Sequence, residues 1–508
     1  MSQALSTQAV VAVVGTGAMG AGIAQVAAAA GHPVRLLDNR PGAAQQAIDG
    51  IRAQFEKMAA KGKMSAEACA AAGGRLQAAE QLSDLADAAL VVEAIVESLA
   101  AKQKLYSDLE AIVSEACIFG TNTSSISVTA IGAALKNPER LAGLHFFNPA
   151  PLMALVEVVS GLATERSVAD TLFATATAWG KTAVHAKSTP GFIVNRVARP
   201  YYAESLRVLT EGGADCATLD AVMREAGGFR MGPFELMDMI GHDVNFAVTR
   251  SVWNAFFNDP RFLPSLVQQD LVDAGFLGKK TGRGYFDYRF GAVKPEPATE
   301  AAQTLPHSLV ICGMSDVAQA MAARLKAAGV DFAHTDSADG RIAQAGDAVL
   351  YVTDGRSATH RAAKSGVANT VLIDLALDYS KATRMAMASA LQCSAAATQA
   401  AVGLLQACGL KVSCLADIPG LVVMRTVAML ANEAADAVNQ GVCSAPAADA
   451  AMRLGVNYPK GPLAWADDVG LKAIRDVLAN LGTSYGEDRY RISPLIQRHV
   501  YAKRNIHD

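Results

Sequence analysis

The fold of this chain is decided by the stretch Val10-Val-Ala-Val-Val-Gly-Thr-Gly-Ala-Met-Gly20. Five uninterrupted apolar residues indicate a buried strand, and a helical pattern continues from the last glycine to Ala30. A second apolar run, Val34-Arg-Leu-Leu-Asp38, then ends in a carboxylate. Strand, glycine-rich turn, helix and strand in this order predict an α/β domain built on a parallel sheet.

Each glycine of the turn has its own physical role in a Rossmann-type, dinucleotide-binding domain. Gly15 makes the turn, Gly17 lets a pyrophosphate approach the backbone, and Gly20 lets the helix pack on the strand. The phosphates would lie at a helix N-terminus, which carries a partial positive charge. Asp38 would accept hydrogen bonds from ribose hydroxyls and repel a 2′-phosphate, whereas Arg40 points weakly towards NADP. We therefore expect NAD as the cofactor and no metal.

Size and composition exclude several classes of protein. A chain of 508 residues predicts three or four domains, and its net charge of −3 with 18% charged residues gives no reason to expect nucleic acid or an anionic membrane as partner. The longest apolar runs are strand-sized, and the N-terminus lacks the pattern of a secretory signal. Eight scattered cysteines without a Cys-x-x-Cys pair argue against zinc and indicate a reducing compartment. We expect a cytoplasmic protein.

One histidine and one carboxylate stand in otherwise apolar sequence between Gly143 and Glu157. His145 lies in a predicted strand at 141–147 and Glu157 in another at 155–159, so adjacent strands would bring them together. A buried carboxylate that holds one imidazole nitrogen fixes the tautomer and raises the basicity of the other, as a general base requires. The pair alone fits equally well a core histidine satisfied by a backbone carbonyl.

Polar side chains follow two further predicted strands. Residues 87–92 lead into Glu93-Ala-Ile-Val-Glu97, and residues 118–122 lead into Thr123-Ser-Ser125. Ligands of open α/β sheets bind at the carboxyl ends of the strands, so these residues indicate a site.

A basic helical pair is predicted at residues 41–85. It carries Arg52, Lys57, Lys61 and Lys63. Such lysines are usually a solvated helix face, but near a cleft they would suit a substrate that bears phosphate.

The second half of the chain repeats the first. Adding 229 to positions 189–241 gives 418–470 without a gap, with many identities, so the helical domain is duplicated. Upstream the offsets are 298 and then 260, which predicts a loss of 38 residues from the region of the basic helices and of 31 from the region of the stretches that contain Ser124 and His145. The second copy should therefore keep its fold and lack the chemistry.

Individual substitutions support that reading. In the second copy Ser315 occupies the position of Gly17, Ala318 that of Gly20, and Met424 that of Asn195.

Prolines and glycines mark the boundaries between domains. A long helix is predicted at 192–210, and further helical segments are predicted around 217–226 and 234–257. We expect a dinucleotide-binding α/β domain at 1–188, an all-α domain at 189–290, a linker at 291–306, a reduced Rossmann-like domain at 307–415 and a second all-α domain at 416–508.

Taken together, the motifs resemble the 3-hydroxyacyl-CoA dehydrogenase family over residues 1 to about 290, and residues 305–508 resemble the extension of its long bacterial members. The resemblance rests on the following stretches: Gly15-Thr-Gly-Ala-Met-Gly20, Val91-Val-Glu-Ala-Ile-Val-Glu97, Asn122-Thr-Ser-Ser125, His145-Phe-Phe-Asn-Pro149, Leu155-Val-Glu157, Thr189-Pro-Gly-Phe-Ile-Val-Asn-Arg196 and Gly232-Pro-Phe-Glu235. Such a series is more specific than any single motif.

The resemblance implies roles for individual residues. His145 would be the general base and Glu157 its carboxylate partner, while Ser124 and Asn195 would hold the substrate oxygen and the imidazole face. Further family positions would contact the nicotinamide half or close over NAD: Glu97, Lys102, Ser124, Asn148 and Lys280. For coenzyme A, Lys61 matches a contact residue, and Gln54 stands where the family can place a small hydroxyl residue.

The expected function is NAD-dependent oxidation of a (3S)-3-hydroxyacyl-CoA, short-chain or dicarboxylic, to the 3-oxoacyl-CoA. The expected partner is an acyl-CoA substrate; a homo-oligomer is possible, and the duplicated helical domain would mimic a second subunit. Two alternatives stay open: a dehydrogenase of a small free hydroxy or sugar acid, and a non-catalytic NAD- or CoA-binding assembly protein.

Overall fold

The protein is described by a computed structural model that covers residues 3–337 and 339–508. Within these residues two sheets form, with strand orders β3-β2-β1-β4-β5-β6-β7-β8 and β10-β9-β11-β12-β13-β14-β15. The first sheet contains β1 (Val10–Val14), β2 (Val34–Leu37), β3 (Leu76–Ala78), β4 (Ala88–Glu93), β5 (Ile118–Thr121), β6 (Leu141–Phe146), β7 (Leu155–Ser160) and β8 (Thr182–Lys187). The second contains β9 (Leu309–Cys312), β10 (Ala333–Thr335), β11 (Arg341–Ala345), β12 (Ala348–Val352), β13 (Thr370–Ile373), β14 (Arg384–Ser389) and β15 (Lys411–Cys414).

Along the chain, helices follow most strands, and several consecutive helices separate the strands of the first sheet from those of the second. In the first half they are α1 (Ala18–Ala29), α2 (Ala43–Ala60), α3 (Ala66–Gly74), α4 (Leu99–Glu110), α5 (Val128–Gly132), α6 (Arg166–Ala178), α7 (Val194–Val197), α8 (Arg199–Thr210), α9 (Cys216–Glu225), α10 (Pro233–Ile240), α11 (His242–Ala255) and α12 (Leu266–Asp273). In the second half they are α13 (Asp316–Ala327), α14 (Ala358–Ser365), α15 (Ala395–Ala407), α16 (Val423–Asn439), α17 (Ala445–Gly455), α18 (Pro462–Val469), α19 (Leu471–Tyr485) and α20 (Pro494–Ala502).

The first sheet is parallel except where β6 and β7 run antiparallel. Its central strands are apolar runs that are buried on both faces, as parallel sheets require: Val11, Val13, Leu90 and Val92 are fully buried. β1 pairs with β2 on one side and with β4 on the other, so the strand order reverses at β1. Ligands of such sheets bind in the crevice at this reversal of strand order. The predicted fold class is confirmed.

Contacts divide the described residues into two compact units, and the division does not follow the two halves of the sequence. The first unit comprises residues up to 196 together with 440–456, and the second comprises 197–439 and 457–508. In the first unit α17 packs on β7 and β8, and the carbonyl of Val442 accepts a hydrogen bond from the Lys187 amide at 2.9 Å. A helix from the second helical repeat therefore belongs to the unit that holds the first sheet.

The second unit contains the reciprocal arrangement. Here α9, from the first helical repeat, packs on β14 of the second sheet. The amide of Leu377 donates to the Ala226 carbonyl at 2.9 Å, and Arg384 lies 3.4 Å from the Glu225 carboxylate. Each sheet is thus covered by a helix from the other repeat.

The predicted long helix and one of the predicted helical segments are each divided into two helices. The segment 192–210 forms α7 and α8 with a break at Ala198, because Pro200 has no amide to donate and its ring displaces the carbonyl four residues earlier. The segment 234–257 is broken at Gly241, whose φ of 97° ends α10 and begins α11. The prediction of one long helix at 192–210 was wrong.

Three further differences concern strands and the linker. β3 follows the two basic helices and pairs with β2, and β11 inserts between β9 and β12 in the second sheet. The segment predicted as a linker is pinned in place, since the amides of Ala298 and Gln303 donate to Thr218 and Gln406 at 2.8 Å.

The second copy keeps a counterpart of the strand that carries His145, in agreement with the prediction that it keeps its fold elements. β13 pairs antiparallel with β14 in the register of β6 with β7, and the offset of 229 places Asp374 at the position of His145. Within the region of the predicted 31-residue loss, the missing unit is the one that contains β5 and the Ser124 turn, because β12 pairs directly with β13.

No helix in the described ranges combines the length and apolar character needed to cross a bilayer.

Candidate active site

The register of β6 and β7 brings His145 and Glu157 together. The two residues are direct cross-strand partners, and the imidazole Nδ1 lies 2.6 Å from Glu157 Oε2. Both are buried, with 5% and 0% exposure, and the rings of Phe147 and Phe192 lie 4.5 and 5.8 Å from the imidazole. The apolar surroundings keep competing water away from the imidazole, and the predicted pairing is confirmed.

The second oxygen of Glu157 is held from another direction. Oε1 accepts the amides of Ile193 at 3.1 Å and Val194 at 2.9 Å, at the start of α7. A carboxylate can only accept hydrogen bonds, so the imidazole Nδ1 carries the proton and Nε2 keeps its lone pair. The arrangement can take a proton at Nε2 and stabilise the resulting imidazolium.

Ser124 lies on a turn that is fixed at both ends. Glu97 Oε1 accepts the Thr123 hydroxyl at 2.5 Å, the Ser125 hydroxyl at 2.9 Å and the Ser124 amide at 3.3 Å. Asn122 Oδ1 accepts the amide that follows His145 at 2.8 Å. Burial opposes ionisation of Glu97, but the Thr123 hydroxyl and the Lys102 charge outweigh it and hold its pKa below the usual range.

Lys102 is buried rather than presented to solvent. Its side chain is 1% exposed, with Nζ 2.5 Å from Glu93 and 3.2 Å from Glu97. The sequence placed Glu93 at the carboxyl end of a predicted strand but assigned it no individual role.

Three other predicted site residues lie in different surroundings. Asn195 is half-buried on α7, three residues after Phe192. Asn148 lies three residues after His145 and lines the larger cavity described below. Lys280 belongs to the second compact unit, where its Nζ lies 2.5 Å from Asp243.

The glycine-rich turn borders a cavity of about 620 Å³. Gly15 has a φ of 97°, a Cβ on Gly20 would lie 1.8 Å from the Gly15 carbonyl oxygen, and a Cβ on Gly17 would meet nothing within 4 Å. Gly15 and Gly20 are therefore required by the close approach of α1 to β1, whereas Gly17 leaves open space in front of the helix N-terminus. The shape fits the pyrophosphate of a dinucleotide.

Asp38 lines the same cavity. Its carboxylate accepts the amide and hydroxyl of Thr16 at 2.9 and 2.7 Å and lies 3.0 Å from Arg40 Nε. Burial opposes ionisation, but the hydrogen bonds from Arg40 and Thr16 hold the pKa of this carboxyl well below its usual range. An ionised carboxylate at the end of β2 fits ribose hydroxyls and disfavours a 2′-phosphate.

A larger cavity of about 1170 Å³ lies along α1 and α2. Its apolar wall includes Phe55, Met58 and Trp179, and Gln54 lines it. The cationic residues of the lining are Lys57, Lys61, Lys63 and Lys181. No carboxylate is found among the described residues of this lining, so the cavity suits a long ligand with anionic groups. His145 does not line it, although the segment after His145 does.

The residues of both cavities fall in a region with a matching family model: "3-hydroxyacyl-CoA dehydrogenase, NAD binding domain" matches residues 10–189. The C-terminal domain model of the same family matches 191–288 and again 420–506, and "3-hydroxybutyryl-CoA dehydrogenase reduced Rossmann-fold domain" matches 350–419. The chain belongs to the 3-hydroxyacyl-CoA dehydrogenase family. It is an NAD-dependent oxidoreductase of CH–OH groups, and the two matches of one C-terminal model agree with the duplication found in the sequence.

Long and short relatives differ in how much of the chain they cover. The chain is 46% identical to 3-hydroxyadipyl-CoA dehydrogenase of Escherichia coli K12 over 488 residues, which is 96% of both proteins. The crystal structure of 3-hydroxybutyryl-CoA dehydrogenase from E. coli K12 superposes with a TM-score of 0.89 at 44% identity, covering 98% of this chain and 99% of that one. Pig mitochondrial hydroxyacyl-coenzyme A dehydrogenase is 40% identical over 286 residues, 55% of this chain and 91% of that protein.

Proposed function

We propose that the protein oxidises a short-chain (3S)-3-hydroxyacyl-CoA to the 3-oxoacyl-CoA, with His145 as general base. The observation that carries the proposal is the buried pair of His145 and Glu157, with Nδ1 held at 2.6 Å and Nε2 left to accept a proton. NAD, when bound, accepts the hydride from the 3-carbon.

The residues of the chain supply the proton transfer and the positioning. His145 Nε2 takes the proton of the 3-hydroxyl, and Glu157 stabilises the imidazolium because its own charge is fixed by two backbone amides. Ser124 and Asn195 would orient the substrate oxygen and the imidazole. A positioned base of this kind contributes about 10²–10⁴ to the rate.

Coenzyme A is the substrate carrier that the larger cavity supports. Lys57, Lys61 and Lys63 offer positive charge to phosphate groups, and the apolar wall offers surface to an adenine ring or a pantetheine arm. Lys61 and Gln54, which the family resemblance assigns to coenzyme A, both line this cavity. The long relatives are named for 3-hydroxyadipyl-CoA and 3-hydroxybutyryl-CoA, so we propose an acyl chain of this size, with or without a terminal carboxylate.

The duplicated half would act as an internal second subunit. Glu204 of α8 accepts Arg425 and Arg489 at 2.7 Å, and Glu433, its counterpart at the offset of 229, lies 3.1 Å from Arg261. Such reciprocal contacts are typical of an interface with twofold symmetry. Size-exclusion chromatography with light scattering should give the mass of one chain, 52.9 kDa; a stable dimer would contradict this part of the proposal.

The activity is tested by mixing the purified protein with NADH and acetoacetyl-CoA. The absorbance of NADH should then decrease with time. If NADH binds and is not consumed, the short-chain substrate is wrong. A competition between 3-hydroxybutyryl-CoA and 3-hydroxyadipyl-CoA then shows whether the preferred acyl chain ends in a methyl group or in a carboxylate.

A triple change of Lys57, Lys61 and Lys63 to alanine separates acyl-CoA from a free hydroxy acid. We expect it to raise KM for the acyl-CoA by roughly tenfold or more and to leave kcat nearly unchanged, because the lysines bind the ground state and the transition state equally. Arg166, an exposed cation of the same domain paired with Asp170, provides the control as Arg166→Ala.

A further inference from the structure

We infer that Glu93, a residue with no direct access to a ligand, positions the Ser124 turn through Lys102 and Glu97. The inference deepens the proposed function, on which the role of Ser124 rests. Glu93 lies at the carboxyl end of β4, is 0% exposed and joins three elements of the first unit. Its Oε1 accepts Lys102 Nζ at 2.5 Å and the Ile95 amide at 2.8 Å, and its Oε2 accepts the Thr121 hydroxyl at 2.8 Å.

The two carboxylates that share Lys102 are not equivalent. Glu93 is fully buried and closer to the ammonium, whereas Glu97 has a side chain that is 40% exposed and lies 3.2 Å away. A buried ammonium is costly without a counter-ion, so Lys102 needs a partner that stays in place. Glu93 is that fixed partner, and Glu97 is the one that can respond to a ligand.

Glu97 passes this positioning on to the turn. Its Oε1 accepts the Thr123 hydroxyl, and the oxygen of that hydroxyl accepts the Ile126 amide at 2.9 Å. The Ser124 amide donates to the same carboxylate oxygen. The connected series Glu93, Lys102, Glu97 and Thr123 therefore runs from the buried end of β4 to the backbone around Ser124. A displacement of about 1 Å at a positioning group can cost about 10² in rate.

Hydrogen exchange of the free protein tests the inference without any substrate or cofactor. Glu93→Gln removes the charge and keeps the size of the side chain. We expect the amides of residues 124–126 to exchange about tenfold faster, while exchange in the strands of the sheet is unchanged, because only the local opening of the turn becomes easier.

The matched control is Glu110→Gln. Glu110 is also a nearly buried carboxylate of α4, paired with Arg140 at 3.3 Å and bonded to the amides of Lys136 and Asn137. This variant should change exchange near residues 136–137 and leave residues 124–126 as they are. If both variants speed exchange throughout the domain, or if Glu93→Gln leaves residues 124–126 unchanged, the inference is overturned.

The double variant Glu93→Gln with Lys102→Met guards against a failure to fold, because no unpaired charge remains buried. It should show the same local increase in exchange. In turnover we expect Glu93→Gln to lower kcat by about tenfold and to change KM by less than about threefold, the pattern of a lost transition-state interaction. If the wild-type protein shows no turnover, the proposed function is refuted. The hydrogen-exchange experiment tests the positioning by Glu93 independently of that outcome.

Discussion

His145 and Asp374 lie at the same place in two copies of one antiparallel strand pair. In the first copy the residue opposite His145 is Glu157, and in the second the residue opposite Asp374 is Ala386. Where the first copy has an imidazole and a carboxylate, the second has a single carboxylate, and this carboxylate takes the position of the imidazole. At this position only the first copy has an imidazole, the group to which the proposed function assigns proton transfer.

Glu157 in the first copy and Asp374 in the second make the same contacts with the backbone of the helical repeat. Glu157 accepts the amides of Ile193 and Val194, and Asp374 accepts those of Val422 and Val423, their counterparts at the offset of 229, at 2.9 and 2.8 Å. The preceding residues, Phe192 and Leu421, both have positive φ. In both copies a carboxylate therefore holds the start of the helical repeat, whereas the imidazole is present in the first copy alone.

The largest expected effect comes from His145→Gln. We expect kcat to fall by about 10²–10⁴ because the general base is removed, while the dissociation constant of NAD⁺ measured by calorimetry stays within about threefold. His185→Gln is the control, since His185 is a histidine of β8 that lies 3.4 Å from Asp170 in the same domain. A His145→Gln enzyme with most of its activity would remove the difference between the two copies.

The glycine turn gives a second comparison, because Ala318 already stands in the second copy where the first has Gly20. We expect Gly20→Ala to weaken NAD⁺ binding by roughly tenfold or more, since its Cβ would collide with the Gly15 carbonyl. Ala318→Gly should leave both affinity and stoichiometry unchanged. One NAD⁺ per chain is expected from calorimetry, and two would show that the second copy also binds it.

A smaller effect concerns stability and its dependence on pH. Burial raises the pKa of Asp374 to about 6, although four backbone amides favour its charged form. The folded protein therefore binds this proton more tightly than the unfolded chain, so its stabilising effect is complete below about pH 4 and is lost as pH rises through about 6. The loss is on the order of 3 kcal/mol.

Asp374→Asn should flatten the free energy of unfolding between about pH 4 and 6 relative to the wild type, as measured by urea titrations. It should leave kcat unchanged. If the two proteins show the same pH dependence, Asp374 does not titrate in this range.

Much of this comparison could be predicted from the sequence. The order of strand, glycines, helix and Asp38 predicted the α/β domain, and a gap-free offset of 229 predicted the second helical repeat. The pairing of His145 with Glu157 followed from two short apolar strands that flank a proline-rich turn. Each of these features is visible in the order and spacing of residues along the chain.

The rest depends on contacts between distant segments. The offset of 229 continues upstream to Asp374, but the residues there share too few identities with the strand of His145 to show it. The burial of Lys102 depends on Glu93 and Thr121 from two different strands, and the assignment of α17 to the first unit depends on packing against β7 and β8. Neither leaves a periodic pattern in the sequence.

The most direct measurement exchanges the residues of the second copy into the first, as the double variant His145→Asp with Glu157→Ala. We expect this protein to fold, to bind NAD⁺ with nearly unchanged affinity and to show a kcat lower by about 10²–10⁴, because the carboxylate can still hold the helix start but no imidazole remains. If the variant instead reduces acetoacetyl-CoA with NADH within about tenfold of the wild-type rate, the assignment of the chemistry to His145 and Glu157 is contradicted.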